Sequence, residues 1–386
     1  MYSRMSGPSP QGQPAVFMDC RLYRGSAPCE PHKRDGRPCE GCDAYDPIAA
    51  HVLIVKLGAM GDVLRTTALL PDILAVHDRA AVTWVTRRES LPLLAGNPLV
   101  HRAVAADEAI PLLQTRRFAA VYALDADEDA LALAGMATTS LRRGYRAGDH
   151  GTAAGVEPGG DDTLFRLGLS DAAKRANRRS YLDLLLATAG LRWSGRRPTL
   201  ALRPDTVDDV RRELSGLGEP LIGVNAGASG RWQHKRWTPH HLTGFVARLH
   251  DEGMSAVLFG EGADAVENHA LARRFGRRVH AFDSAARPDR LFAGIAQLDA
   301  LVTTDTLAMH AGWALGRPIV ALFGPTSAAE IDLEPADVKL TADLGCLVCY
   351  LRRCDIELHC MELLTPGVVY DALRARLAAR KGVASA

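Results

Sequence analysis

Three groups of residues in this 386-residue chain have types and spacing suited to chemistry. The first is KLGAMGD, residues 56–62, which follows the apolar tetrad VLIV (52–55) and precedes a helix-like stretch. Gly58 and Gly61 let the backbone approach a ligand, and the start of the next helix supplies free N–H groups. Taken alone, Asp62 at the end of this turn fits a helix cap or first-turn acid, a role that stabilises by about 1 kcal/mol, better than it fits a catalyst. The G-x-x-G spacing is neither the dinucleotide fingerprint nor a P-loop.

The second group follows a later series of apolar runs. NAGASGRWQHKRW (225–237) carries Lys235 and Arg236, TDTLAMH (304–310) carries Asp305, Thr306 and His310, and FGPT (323–326) ends in Thr326. A lysine and an arginine beside small residues suit a diphosphate, and a helix opening at Thr306 would aim N–H groups at the same anion. Taken singly, Lys235 and Arg236 also fit a solvated basic turn, and His310 fits a histidine satisfied within its own helix. Their shared position after strands of one sheet favours a ligand site.

The third group is eight cysteines in two sets. Cys20, Cys29, Cys39 and Cys42 make C-x8-C-x9-C-x2-C, and Cys346, Cys349, Cys354 and Cys360 make C-x2-C-x4-C-x5-C. Each set suits a tetrahedral thiolate site, with structural zinc expected and iron as the alternative; buried free thiols are the competing reading. An electron-transfer cluster lacks partner chemistry in the sequence.

The elements that must position these residues alternate. After a Ser-, Pro- and Gly-rich tail (1–17), expected to be disordered, and the cysteine-rich segment 18–50, strands are predicted at 52–55, 81–86, 100–106 and 118–124 with helices between them. A helix is predicted over 64–77, and 139–162 reads as a strand end running into a glycine-rich loop. A helix at 179–191 closes this lobe. A second series has strands at 220–227, 255–260, 278–284, 300–305 and 319–324, followed by a helix over 368–382. This is an α/β chain with two Rossmann-like, doubly wound lobes, 51–196 and 197–345, a hinge near 190–205 and a C-terminal segment 346–386.

Composition fits this plan and excludes others. Hydrophobic residues make up 47% of the chain and charged residues 24%, with 46 basic against 45 acidic side chains. That balance gives no support to nucleic-acid binding. No run reaches the roughly 18 apolar residues of a membrane span, and the N-terminus lacks the apolar core of a signal peptide, so the cytoplasm is the expected compartment.

The chain resembles glycosyltransferase family 9, the ADP-heptose:lipopolysaccharide heptosyltransferases. The resemblance rests on VLIVKLGAMGDVLRTTALLP, GASGRWQHKRW, TTDTLAMHAGWALGRPIVALFGPT and the run from Cys346 to Met361, in that order. It implies a GT-B fold and an inverting transfer without a catalytic metal. The donor would be a nucleoside-diphosphate sugar, with ADP-heptose expected. The acceptor would be a glycan, lipid-linked or protein hydroxyl such as lipopolysaccharide core, with peripheral contact to the inner membrane.

The resemblance assigns the base to Asp62, with Lys56 and Gly61 in the acceptor-side loop. Donor contacts fall on Lys235, Asp305, Thr306, His310 and Thr326, and Glu261 in FGEGAD becomes a nucleobase or ribose contact. Leu307 stands where the family commonly has glycine. The N-terminal cysteine set is an addition to the family pattern. Both sets would form one site if the C-terminal segment returns to the first lobe. Rival readings are a non-catalytic nucleotide-sugar-binding scaffold and a nucleotide-sugar epimerase of the same architecture.

Overall fold

The computed structural model describes residues 15–227, 233–284, 287–351 and 354–384. The expected tail falls largely outside these residues, as do residues 228–232 of the lysine loop. Lobe one is built on β1 (Ala50–Val55), β2 (Ala80–Thr86), β3 (Arg102–Ala105), β4 (Ala120–Ala123), β5 (Arg142–Ala147) and β6 (Ala153–Val156). Lobe two is built on β7 (Leu221–Asn225), β8 (Ser255–Phe259), β9 (Val279–Phe282), β10 (Ala300–Thr304), β11 (Ile319–Phe323) and β12 (Val338–Thr341).

The two sheets repeat one order, β3-β2-β1-β4-β5-β6 and β9-β8-β7-β10-β11-β12. Strands β2, β8, β10 and β11 are buried along their whole length, as helices on both faces of a parallel sheet require. In this order the chain reverses direction across the sheet between its first and fourth strands. The loops after β1, β4, β7 and β10 therefore open the crevice in which such sheets hold ligands.

Three elements differ from expectation. Residues 139–162 contain two strands, and β5 pairs antiparallel with β6 through Tyr145↔Val156 and Ala147↔Ala153. This edge hairpin is rich in Arg and Gly and half-exposed, so it lacks the apolar run of a central strand. β12 is likewise a sixth, half-buried edge strand of lobe two where five strands were expected. The helix expected over 64–77 begins earlier, as Met60–Thr66, and continues through a 3₁₀ turn, Thr67–Leu69, into Leu70–Ala75. Pro71 lacks an N–H donor and sits in the first turn of the last piece, where none is needed.

The lobes share a core. Val63 and Leu64 of the helix Met60–Thr66 belong to the same buried cluster as Ala308, Met309 and Trp313 of the helix Leu307–Ala314, and these two helices pack on each other. Residues 190–203 between the lobes have no regular structure, as expected for the hinge. They are tied to lobe one by Thr199, whose N–H donates to Thr67 Oγ1 at 2.9 Å, and to lobe two by Trp193, edge-on to Trp313.

The C-terminal helix Pro366–Ala384 packs on lobe two rather than returning to lobe one. Val369, Tyr370 and Leu373 bury themselves with Trp237, Phe245 and Leu249. The N-terminal cysteine segment instead lies beside lobe one, where Arg21 reaches Asp46 at 2.8 Å and the Ala80 carbonyl at 3.2 Å. Among the described residues no helix is long and apolar enough to cross a membrane.

Candidate active site between the lobes

Asp62 lies in the first turn of the helix Met60–Thr66, whose N-cap position, Ala59, has no capping side chain. Its carboxylate is one-third exposed and pairs with Arg65 at 2.6 Å, one turn along the helix. The Arg65 guanidinium stacks 3.6 Å from the centre of the Tyr181 ring, which fixes its plane. Beneath them Lys56, almost fully buried, donates to Tyr181 Oη at 3.1 Å and pairs with Asp125 at 3.4 Å. Asp125 Oδ2 also accepts from the Leu57 and Gly58 amides at 3.0 and 2.5 Å. The acid after β4 thus holds the loop after β1.

Burial alone would raise the Asp62 pKa, but the Arg65 guanidinium, then Lys56 and His310, draw it down to about 2. Lys56 is likewise disfavoured by burial, yet Tyr181 and Asp125 hold it above the ordinary lysine range. Both groups are charged at neutral pH.

Across the interface, Asp305 follows β10. Its Oδ2 accepts from Lys235 Nζ at 2.7 Å and from Thr326 Oγ1 at 2.9 Å, so three loops of lobe two meet on one carboxylate. Thr306, extended, is the N-cap of the helix Leu307–Ala314, and its hydroxyl donates back to the Thr304 carbonyl at 3.3 Å instead of capping. His310 is buried, and among the described residues its Nδ1 has no hydrogen-bond partner. Burial first, then Arg65, pushes its pKa down to about 4, so its ring is neutral at physiological pH.

Gly61 and His310 are the point of contact between the two halves. A Cβ on Gly61 would stand 2.8 Å from His310 Cδ2. Leu307, beside them, packs into the shared core, which gives this departure from glycine a role in sealing the lobes. Gly61→Ala is expected to push the helices apart and lower turnover about tenfold while each lobe stays folded, because interiors are too tightly packed to absorb a methyl there. Steady-state rates with near-wild-type circular dichroism would check this, and unchanged turnover would refute it.

The expected residues therefore fall into two sets that face one another: Lys56, Gly61 and Asp62 on lobe one, and Lys235, Asp305, Thr306, His310 and Thr326 on lobe two. Arg65 acts electrostatically on both Asp62 and Asp305. Arg236 is held by Asp264 at 2.7 Å and Glu267 at 2.5 Å, away from this set. Glu261 is exposed after β8, and among the described residues no hydrogen bond or ion pair ties it to the cluster.

Sequence reasoning missed Arg65, Asp125 and Tyr181. The i,i+3 spacing from Asp62 could have revealed Arg65, and the position directly after an apolar strand could have revealed Asp125. Nothing local marks Tyr181, whose amide donates across the interface to the Glu330 carbonyl at 3.0 Å.

All eight cysteines are unpaired. Cys346, Cys349, Cys354 and Cys360 line one small cavity with His234 and His359, against Gly324 and Pro325. In the N-terminal set, Cys20 bridges to Pro47, Cys29 stands at the N-cap of the helix Glu30–Asp35, and the Cys42 amide donates to the Cys39 carbonyl at 3.2 Å. Among the described residues, no three His, Cys, Asp or Glu side chains are placed to hold a metal ion as the structure stands.

The chain is 34% identical over 112 residues to lipopolysaccharide heptosyltransferase 2 of Escherichia coli, a match covering 28% of this chain and 32% of that protein. The match thus spans about a third of that curated relative's length. The fold is shared with a glycosyltransferase family 9 structure from Veillonella parvula, with a TM-score of 0.69, 16% identity and coverage of 86% of this chain and 98% of the other. It is also shared with the E. coli heptosyltransferase WaaC solved with ADP-2-deoxy-2-fluoro heptose, with a TM-score of 0.57, 17% identity and coverage of 84% and 99%. Residues 171–358, a little under half of the chain, match the family model described as glycosyltransferase family 9 (heptosyltransferase), and the two facing Rossmann-like lobes share the GT-B fold of these solved structures.

Proposed function

We propose that this chain is an inverting heptosyltransferase that moves a heptosyl group from ADP-heptose to a hydroxyl of a lipopolysaccharide-core-type glycan. The observation carrying this reading is the juxtaposition of a carboxylate on lobe one with a lysine, two threonines and a helix N-terminus on lobe two. Inverting transfer needs an aligned acceptor hydroxyl, a base for its proton and stabilisation of the departing diphosphate. Asp62 supplies the base, and Lys235 with the N–H groups at the start of the helix Leu307–Ala314 stabilises the leaving group. The buried, unpartnered Nδ1 of His310 is a neutral group left for the donor to satisfy. Packing of the lobes through Gly61 and His310 excludes water that would hydrolyse the donor.

Arg65 holds Asp62 in its anionic form, at the expense of its basicity. An incoming diphosphate offers Arg65 another anion and frees the carboxylate to take a proton. Arg65→Gln removes the strongest force lowering the Asp62 pKa and leaves burial, which raises it. The carboxylate then keeps its proton to higher pH, so the acid limb of the kcat/KM profile is expected to move towards neutrality. A profile superimposable on wild type would refute this role.

The reaction is tested by incubating the purified chain with ADP-heptose and heptose-deficient core oligosaccharide. A mass gain of one heptosyl unit with inverted anomeric configuration by NMR supports the proposal. Donor consumption without any acceptor would favour an epimerase or hydrolase, and ADP binding without turnover would favour a scaffold.

A further inference from the structure

We infer that Cys346, Cys349, Cys354 and Cys360 together hold one thiophilic cation of the zinc or iron class, and that this ion pins the 346–364 strap against the loop bearing Lys235. The four thiols, drawn from 15 consecutive residues, already surround a single cavity. Tetrathiolate binding needs sulfurs about 2.3 Å from the ion, so the four thiols, which are not placed to ligate as the structure stands, must draw in around the cavity they share.

The backbone supports the same assignment. Val348 and Tyr350, flanking Cys349, have φ of 60° and 50°, a left-handed conformation that is costly for a β-branched or bulky residue. Such a turn persists when its surroundings over-determine it. Here the Val348 amide donates to Gly324 O at 3.3 Å and the Tyr350 amide to Pro325 O at 2.9 Å, and an ion gripping Cys346 and Cys349 would hold the turn from inside. Gly324 is needed for the approach, because a Cβ there would stand 2.4 Å from Cys360 Sγ.

The strap reaches the lysine loop at two points. His234 Nε2 accepts from the Cys354 amide at 3.1 Å, and Trp237 Nε1 donates to the Leu364 carbonyl at 2.7 Å. These contacts bracket Lys235. His234 uses Nε2 on the strap's backbone, which makes the histidine the lever between the cysteine cavity and the loop. The consequence for donor binding rests on the transfer reading above, whereas the site itself does not.

The test uses the full chain purified under reducing conditions, with elemental analysis and hydrogen exchange. Cys349→Ser is expected to lose one equivalent of zinc or iron relative to wild type, and Cys39→Ser to keep that equivalent. Exchange of peptides covering 233–237 and 346–364 should accelerate at least tenfold in Cys349→Ser. Chelator-stripped wild type should behave the same way, and zinc or ferrous iron should restore it; the metal recovered from untreated protein identifies the ion. His234→Ala should keep the metal and loosen only 233–237. Undiminished metal in Cys349→Ser, or failure of stripped wild type to take up either ion, would overturn the site. Metal loss without faster exchange at 233–237 would overturn the coupling. Neither readout involves nucleotide or transfer, so failure here and failure of the proposed reaction are separable.

Discussion

Asp62→Asn is expected to lower kcat by roughly 10²- to 10⁴-fold while leaving ADP affinity within a few-fold of wild type, the range for removal of a general base. The substitution is nearly isosteric, and the amide oxygen can still accept from Arg65, whose side chain is only 12% exposed. Lobe contact through Gly61 and the donor-facing groups of lobe two are untouched. What disappears is the ability to take a proton. Steady-state transfer assays paired with calorimetric ADP titration separate the two quantities, and turnover within about threefold of wild type would remove Asp62 from the mechanism. Linkage gives an independent check. The folded-state pKa of Asp62 lies below its unfolded value, so its contribution to stability is present above about pH 4 and is lost as pH falls towards 2. Asp62→Asn should flatten stability over that interval and not above it.

Lys235→Ala should be costly in two separable ways. Lys235 and Asp305 are each only 14% exposed and lie 2.7 Å apart, so truncating the lysine strands a carboxylate that also anchors Thr326. Breaking a buried pair from one side costs about 3–5 kcal/mol of stability. Losing a charge-assisted bond to a phosphate costs a further 1.5–3 kcal/mol in binding, roughly 10- to 150-fold in donor affinity. A second substitution distinguishes them. Lys235→Ala combined with Asp305→Asn removes the stranded charge, so the denaturation midpoint should recover much of its loss while ADP affinity stays weak. If affinity recovered along with stability, Lys235 would be a structural lysine and not a donor contact.

The candidate site was legible where its residues stand directly after apolar strands. Asp62, Lys235, Asp305 and Thr326 each sit within about ten residues of a strand whose burial on both faces produces an unmistakable apolar run. Parallel-sheet topology then obliges the following loops to share a crevice. Arg65, Asp125 and Tyr181 escaped because their roles arise from contacts made across the fold. Asp125 acts on a loop 67 and 68 residues earlier, and Tyr181 meets a lysine 125 residues away. The missed strands, β5, β6 and β12, lie at or beside sheet edges, where one exposed side removes the periodic burial that makes a strand readable.

Three things about this protein were determined by its sequence alone: two α/β lobes, the loops that carry the candidate site residues, and the cysteine spacings. Each depends on residues near one another in the chain. Tertiary structure alone decided that Arg65 stands between Asp62 and Asp305, that Gly61 receives His310, and that the C-terminal cysteines brace lobe two while the N-terminal set lies on lobe one. Pairwise geometry between distant segments comes from how the helices Met60–Thr66, Leu307–Ala314 and Pro366–Ala384 bury their apolar faces. Local pattern specifies that a face must be buried, and the shape of the assembled core specifies against what.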